Sequence, residues 1–247
     1  MKILAIETST MLGGVALMDD SSGLIAEVRL NVKSTHSERL MTEIDHLLRQ
    51  AGLKISDIDV FAVAIGPGSF TGLRIGLSTV KGFSYATGKP IVSVPTLEAL
   101  AWNFPYCRYP VCTMLDARKK EVYTALFKWD KEGFLRLIDE MSIKVDRLLE
   151  KIKQSNPPSP PFSKGGKGGF FDNKVVFTGE GALLYRDTII EVMGEKTIFA
   201  PHEKMIPSPA NVASIGIRKA TKEEFSEPVS LIPFYIRRSE AEIKNNA

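Results

Sequence analysis

At 247 residues the chain suits one large domain or two small ones, and 44% hydrophobic with 25% charged residues is ordinary for a globular protein. A net charge of +3 permits contact with nucleic acid without arguing for it, since binders gather their cations into a stripe. No apolar run approaches the ~20 residues of a membrane span, and Ile3–Ile6 is too short for a signal-peptide core, so a cytoplasmic protein with no membrane partner is expected.

Lys2–Thr8, Gly13–Met18 and Gly23–Asn31 are short β-prone runs separated by turn-rich stretches, which predicts a three-stranded meander. Thr35 and Glu38 have capping-box spacing, and Leu40, Met41, Ile44, Leu47, Leu48 and Ala51 follow at helical intervals until Gly52. The apolar run Val60–Ile65 reads as a buried strand and leads into I-G-P-G-S-F-T-G-L-R-I at Ile65–Ile75. A strand, a Gly/Pro turn and then a helix bring backbone N–H groups together for an anion or a partner backbone. Ser69 or Thr71 can cap that helix, which runs to Thr87 before Gly88 and Pro90. Neither a Walker loop nor a dinucleotide fingerprint fits: Gly72 is followed by Leu73 and Arg74, and the third glycine arrives one residue late. Ile91–Val94 is a further strand, and Thr96–Asn103 begins a short helix.

The second half repeats this order. Val111–Asp116, Glu121–Trp129 and Phe134–Ile143 are strand candidates, Val145–Ile152 is helical, Val175–Thr178 is a buried strand, and Ala182–Met193 is a helix after the turn Gly179–Gly181. The predicted fold is therefore α/β, a duplicated βββαβα arrangement of two lobes like that of actin, sugar kinases and heat-shock chaperones. Residues 1–104 form the N-terminal lobe, completed by a helix at 209–220, and residues 105–208 the C-terminal lobe. The stretch 154–174, dense in Pro, Gly and Ser, reads as an insertion at a surface turn. The remainder, 209–247, holds that helix, an extended run at Val229–Ile236 and a polar tail.

Candidate chemistry is sparse. Cys107 and Cys112 have no other cysteine and no nearby histidine, so two reduced structural thiols are expected. His36 and His46 are not spaced to share a metal, His202 lies in a proline-flanked loop, and no G-x-S-x-G nucleophile elbow is present. Glu7 and Asp116 end the first strand of each half. Two readings stay open for them: Glu7, Thr8, Asp116, Gly179 and Gly181 could hold a nucleotide and its metal, or the two carboxylates could simply bond to turn amides. Gly72, Gly76, Gly82 and Ala86 make small-x-x-x-small spacings, which suggests close helix approach, within the chain or at an oligomer interface.

I-E-T-S-T at Ile6–Thr10, H-S-E-R-L at His36–Leu40, G-P-G-S-F-T-G-L-R-I-G at Gly66–Gly76, T-L-E-A-L at Thr96–Leu100 and D-A-R at Asp116–Arg118 together resemble the TsaB (YeaZ) family. The resemblance covers Met1–Trp129 strongly and Gly179–Ala182 and Pro233–Arg237 more loosely; the 154–174 segment is not part of the pattern. It implies a non-catalytic scaffold subunit of the bacterial machinery that places threonylcarbamoyl on the adenosine beside the tRNA anticodon. In that family the chain pairs with a larger paralogue, TsaD, which holds the metal and performs the transfer; TsaE joins the complex, tRNA is engaged indirectly, and the chain alone can form a homodimer. The paralogue carries H-x-x-x-H where this sequence has Thr96 and Leu100, and a hydroxyl and an isobutyl group cannot replace two imidazoles. No metal and no tightly bound cofactor are implied, with a subunit junction left open to ATP.

The resemblance places the partner surface on the first two helices, and so on His36, Leu40, Met41, Ile44, Leu47, Thr71, Gly72, Arg74, Ile75, Gly76 and Gly82. Three other readings compete. An ATP-dependent phosphotransferase of the same fold would use Glu7, Asp116 and the Gly179–Gly181 turn. A metallopeptidase would need the missing ligands. A tRNA-binding module would rest on Arg118–Lys120 and Arg237–Arg238.

Overall fold

The computed structural model describes residues 1–30, 36–155 and 174–236. They divide into two compact units, one of Met1–Asn103 with Ile206–Ala247 (described to Ile236) and one of Phe104–Met205.

In the first unit β1 (Lys2–Glu7), β2 (Gly13–Asp19) and β3 (Gly23–Leu30) form the antiparallel meander. β4 (Val60–Gly66) and β5 (Ile91–Pro95) add parallel strands on the other side of β1, giving the order β3-β2-β1-β4-β5. Strand periodicity separates two faces. Leu4, Ile6, Phe61 and Val63 pack with Ile44, Leu47, Leu73, Leu77 and Val80 from α1 (His36–Gln50) and α2 (Phe70–Thr87). Ile3, Ala5, Ala62 and Ala64 pack on the opposite face with Val212, Ala213 and Ile215 of α7 (Pro209–Thr221), and α3 (Thr96–Ala101) sits beside them. Alanines on that face let α7 lie close; a Cβ on its Gly216 would fall 2.8 Å from that of Ala62. α7 starts at Ser208, whose Oγ accepts from the Ala210 N–H at 3.1 Å, and the Glu27 carboxylate of β3 binds both groups.

In the second unit β6 (Val111–Asp116), β7 (Glu121–Asp130) and β8 (Gly133–Lys144) repeat the meander, and β9 (Val175–Thr178) and β10 (Thr197–Phe199) the parallel pair, in the order β10-β9-β6-β7-β8. Read from the other edge, the two orders are identical, with each pairing direction conserved. Cys112, Met114, Val122 and Phe177 pack with Leu148, Leu149 and Ile152 of α4 (Val145–Ser155).

The structure corrects several boundaries. Ala182–Met193 is not one helix but two, α5 (Glu180–Leu184) and α6 (Arg186–Met193), broken where Tyr185 leaves helical dihedrals (φ −109°, ψ 24°). β10 has only three residues, too few to show a period in sequence. The Val229–Ile236 run enters neither sheet as a strand; Phe234 N–H donates to Ile65 O at 2.7 Å instead. Thr35 and most of the 154–174 stretch, with the tail from Arg237 onward, lie outside the described residues.

Both thiols are free, Cys107 half-buried and Cys112 fully buried. Burial pushes the Cys112 thiol up to about 12, against a weak contact with Thr124 Oγ1 at 3.6 Å. Native protein treated with a water-soluble disulfide reagent at neutral pH is therefore expected to release one equivalent, from Cys107. The second should appear only on denaturation, and two fast equivalents would contradict this packing.

Candidate functional site

The glycine turn and the β1–β2 turn are interlocked. Glu7, Thr8, Ser9 and Thr10 are all buried, and apart from Glu7 Oε2 their side-chain polar atoms are bonded locally. Thr8 Oγ1 donates to Gly72 O at 2.8 Å, Ser69 N–H donates to Ser9 O at 2.6 Å, and Thr10 Oγ1 donates to Leu12 O at 2.9 Å. The glycines are required by this approach: a Cβ on Gly68 would lie 2.3 Å from Ser9 O, on Gly72 2.0 Å from Thr8 O, and on Gly76 2.5 Å from Thr8 Oγ1. Ser69 is the helix cap, accepting from the Gly72 N–H at 3.3 Å, and Gly88 closes α2 in the left-handed region (φ 71°). Gly66 N–H donates to Thr96 Oγ1 at 3.2 Å, so the Thr96 hydroxyl supports the turn. Thr96 and Leu100 are both fully buried.

Glu7 sits at the end of β1. Its Oε1 accepts from the Ser9 N–H at 2.6 Å and from Ser9 Oγ, whereas its Oε2 has no partner among the described residues. Burial outweighs the two hydrogen bonds and pushes the carboxyl up to about 7. The second-unit counterpart is more open. Asp116 Oδ1 accepts from the Arg118 N–H at 2.9 Å and Oδ2 pairs with the Arg118 guanidinium at 3.4 Å. Its hairpin carries three successive left-handed residues, Arg118, Lys119 and Lys120, all exposed. Gly179 and Gly181 repeat the close approach of the first unit, since a Cβ on Gly179 would lie 2.0 Å from Met114 O. The Glu180 carboxyl is held above its usual range, first by partial burial although the residue as a whole is exposed. Among the described residues no three or more His, Cys, Asp and Glu side chains converge as a metal site.

The residues predicted on the first two helices separate into two groups. Leu47 and Ile44 belong to the core under α1, and Gly72 and Gly76 are buried against Thr8, so these four serve the fold of their own unit. Their periodicity is that of any buried helix face, which is why sequence could not tell the two sides apart. Met41, Thr71, Arg74 and Gly82 point outward, Ile75 is half-exposed, and Leu40 is buried at the edge; His36 opens α1, its side chain outside the described atoms. Met41, Thr71, Arg74 and Ile75, though not Gly82, line a groove of about 480 Å³ between α1 and α2, with Met41 at 52% exposure on one wall and Phe70 at 37% on the other. A second groove of about 400 Å³ shares Met41 and runs to Leu53 and Phe83. Phe70 and Tyr235 are site residues that sequence reasoning missed. The aromatic at Phe70 was visible in the glycine block, but nothing in sequence signalled that Tyr235 stacks on it at 5.3 Å.

The comparisons agree on one family. The family model for TsaD, tRNA N6-adenosine threonylcarbamoyltransferase, matches residues 24–245. The chain is 31% identical over 245 residues to the tRNA threonylcarbamoyladenosine biosynthesis protein TsaB of Bacillus subtilis, covering 99% of this chain and 97% of that one. It is 35% identical over 235 residues to the Escherichia coli protein of the same name, covering 94% of each. The solved structure of YeaZ from Pseudomonas aeruginosa superposes with a TM-score of 0.73 at 22% identity, covering 95% of this chain and 99% of that one.

Two measurements follow from the buried turn. Gly76→Leu should destabilise the chain by about 2 kcal/mol or more through overpacking. A Cβ on Gly82 meets nothing within 4 Å, so Gly82→Ala should stabilise it by up to about 1 kcal/mol; urea denaturation of both variants checks the pair. For Glu7, the folded group takes up its proton more readily than the unfolded one, whose ordinary value is 4.5, so stability is full below that pH and falls as pH rises to about 7. The loss amounts to about 3 kcal/mol. Urea midpoints from pH 5 to pH 8 should fall in wild type and stay nearly level in Glu7→Gln; parallel curves would contradict the assignment.

Proposed function

Because the chain belongs to the TsaB family of tRNA threonylcarbamoyladenosine biosynthesis proteins, we propose that it acts there as a non-catalytic subunit whose α1–α2 face docks the catalytic paralogue TsaD. The observation that carries this reading is the α1–α2 face itself. Two helices are fixed from beneath by a shared core, and their outer side keeps Met41, Phe70, Ile75 and an unfilled Gly82 open to a second pair of helices. Close helix approach requires small residues outside as well as inside, and Gly82 supplies one.

The non-catalytic part of the reading is supported by what occupies the former ligand positions. Thr96 bonds the glycine turn and Leu100 is core, so each has a structural task incompatible with holding a metal. Glu7 is enclosed and engaged by Ser9, and Asp116 ties down its own hairpin, which leaves the phosphotransferase reading without a specific observation in its favour. TsaE belongs to the same assembly in this reading, tRNA is reached through TsaD, and the α1–α2 face is available for a homodimer when TsaD is absent.

Sedimentation of the chain with TsaD is expected to give a one-to-one complex, and threonylcarbamoyl transfer should require both proteins. Gly82→Leu is the informative variant, because its side chain enters open space and the fold should survive. It should abolish the complex at micromolar concentrations with a urea midpoint no lower than that of wild type. A wild-type affinity in Gly82→Leu would overturn the docking face.

A further inference from the structure

Arg74 stands out on this face. Its guanidinium carbon lies 3.8 Å from the centroid of the Phe70 ring, and its Nε donates to Tyr235 Oη at 3.3 Å. Tyr235 in turn stacks on Phe70, and it is delivered there by the C-terminal segment, fastened one residue earlier by Phe234 N–H to Ile65 O. That strap crosses the glycine turn so closely that a Cβ on Gly66 would lie 2.9 Å from Phe234 O. An exposed arginine normally samples many rotamers, carrying about 2 kcal/mol of side-chain entropy. Here an aromatic face and a phenol fix the plane of the fork in advance. No carboxylate among the described residues pairs with it. The whole of α2 contains no Asp or Glu, while Lys81 adds a second cation.

Resting on the reading that the α1–α2 face docks TsaD, we infer that Arg74 is the specificity-determining residue of the interface and that it receives a carboxylate from the helix laid into the groove. Nε is taken, so the terminal nitrogens Nη1 and Nη2 remain to meet an Asp or Glu as a two-pronged fork. The apolar wall of Met41, Ile75 and Phe70 sets the rest of the partner's chemistry: an amphipathic helix with one acid among aliphatic residues. A second copy of the chain would bring Arg74 and Lys81 and no acid on α2, its carboxylates at this face being Glu43 and Asp45 of α1, so self-association of the chain that is lost in Arg74→Gln would overturn this choice of occupant. Tyr235 is then a positioning residue, acting through Arg74.

The test is calorimetric titration of the full chain with TsaD at about 0.05 M and 0.5 M salt, where screening differs strongly. Arg74→Gln is expected to weaken binding at low salt by about 30-fold or more. Its affinity should vary less with salt than that of wild type. Arg74→Lys, which keeps the charge and loses the fork, should fall between the two, and Tyr235→Phe should weaken binding by roughly 3- to 10-fold with an unchanged urea midpoint. If Arg74→Gln binds within about twofold of wild type while Gly82→Leu does not bind, the arginine inference is overturned and the docking face stands. If Gly82→Leu also binds as wild type, the docking face falls and takes the inference with it.

Discussion

The structure of the first unit depends on one close approach: the backbone of the glycine turn against Thr8 and Ser9. Three glycines in nine residues, Gly68, Gly72 and Gly76, would ordinarily loosen a chain, because each loses more freedom on folding than any other residue. Here each missing Cβ admits a carbonyl or hydroxyl of the β1–β2 turn, and the hydrogen bonds from Thr8 Oγ1 and Ser69 N–H close the space. This interlock fixes where α2 begins, which face of it meets the sheet, and hence which face is left outside. The outward direction of Arg74 and Gly82 is a consequence of the inward direction of Gly72 and Gly76.

The second unit uses the same device with different residues. Its glycines after β9 lie against the Met114 carbonyl near the end of β6, as Gly72 lies against the Thr8 carbonyl just beyond β1. What differs is the length of the helix that follows. α2 runs for 18 residues, whereas α5 stops after five at Tyr185 and α6 adds a separate eight. Only the first unit can therefore present a long helix beside its neighbour, and the proposed docking face falls on the copy with the unbroken one. Duplicated topology does not mean duplicated surface chemistry.

Sequence pattern carried the fold far because strand period, helix caps and turn glycines are local signals. The meander, the buried strands and the Gly88 cap all follow from neighbours within a few residues. Legibility ended where the deciding partner was distant. Gly76 and Gly82 look alike in sequence, yet one touches Thr8 and the other touches nothing, a difference made by a chain segment nearly seventy residues away. Tyr235 reaches Arg74 across 161 positions. The short β10 and the break at Tyr185 failed for another reason: three residues carry no period, and a helix interruption made by backbone dihedrals alone needs no glycine or proline to announce it.

The same distant contacts tie the start of α3 to the glycine turn. Thr96 turns its hydroxyl to Gly66 N–H, and Leu100, one turn further along α3, is fully buried. Gly66 is also the point where the C-terminal strap crosses, and the strap fixes Tyr235 against Phe70 and Arg74. Thr96, the glycine turn and the outward arginine are thus consecutive links in one set of contacts. Removing the hydroxyl at position 96 would take the acceptor from Gly66 N–H at the point where the strap crosses. The hydroxyl at position 96 thereby supports the turn over which the strap that holds Tyr235 passes.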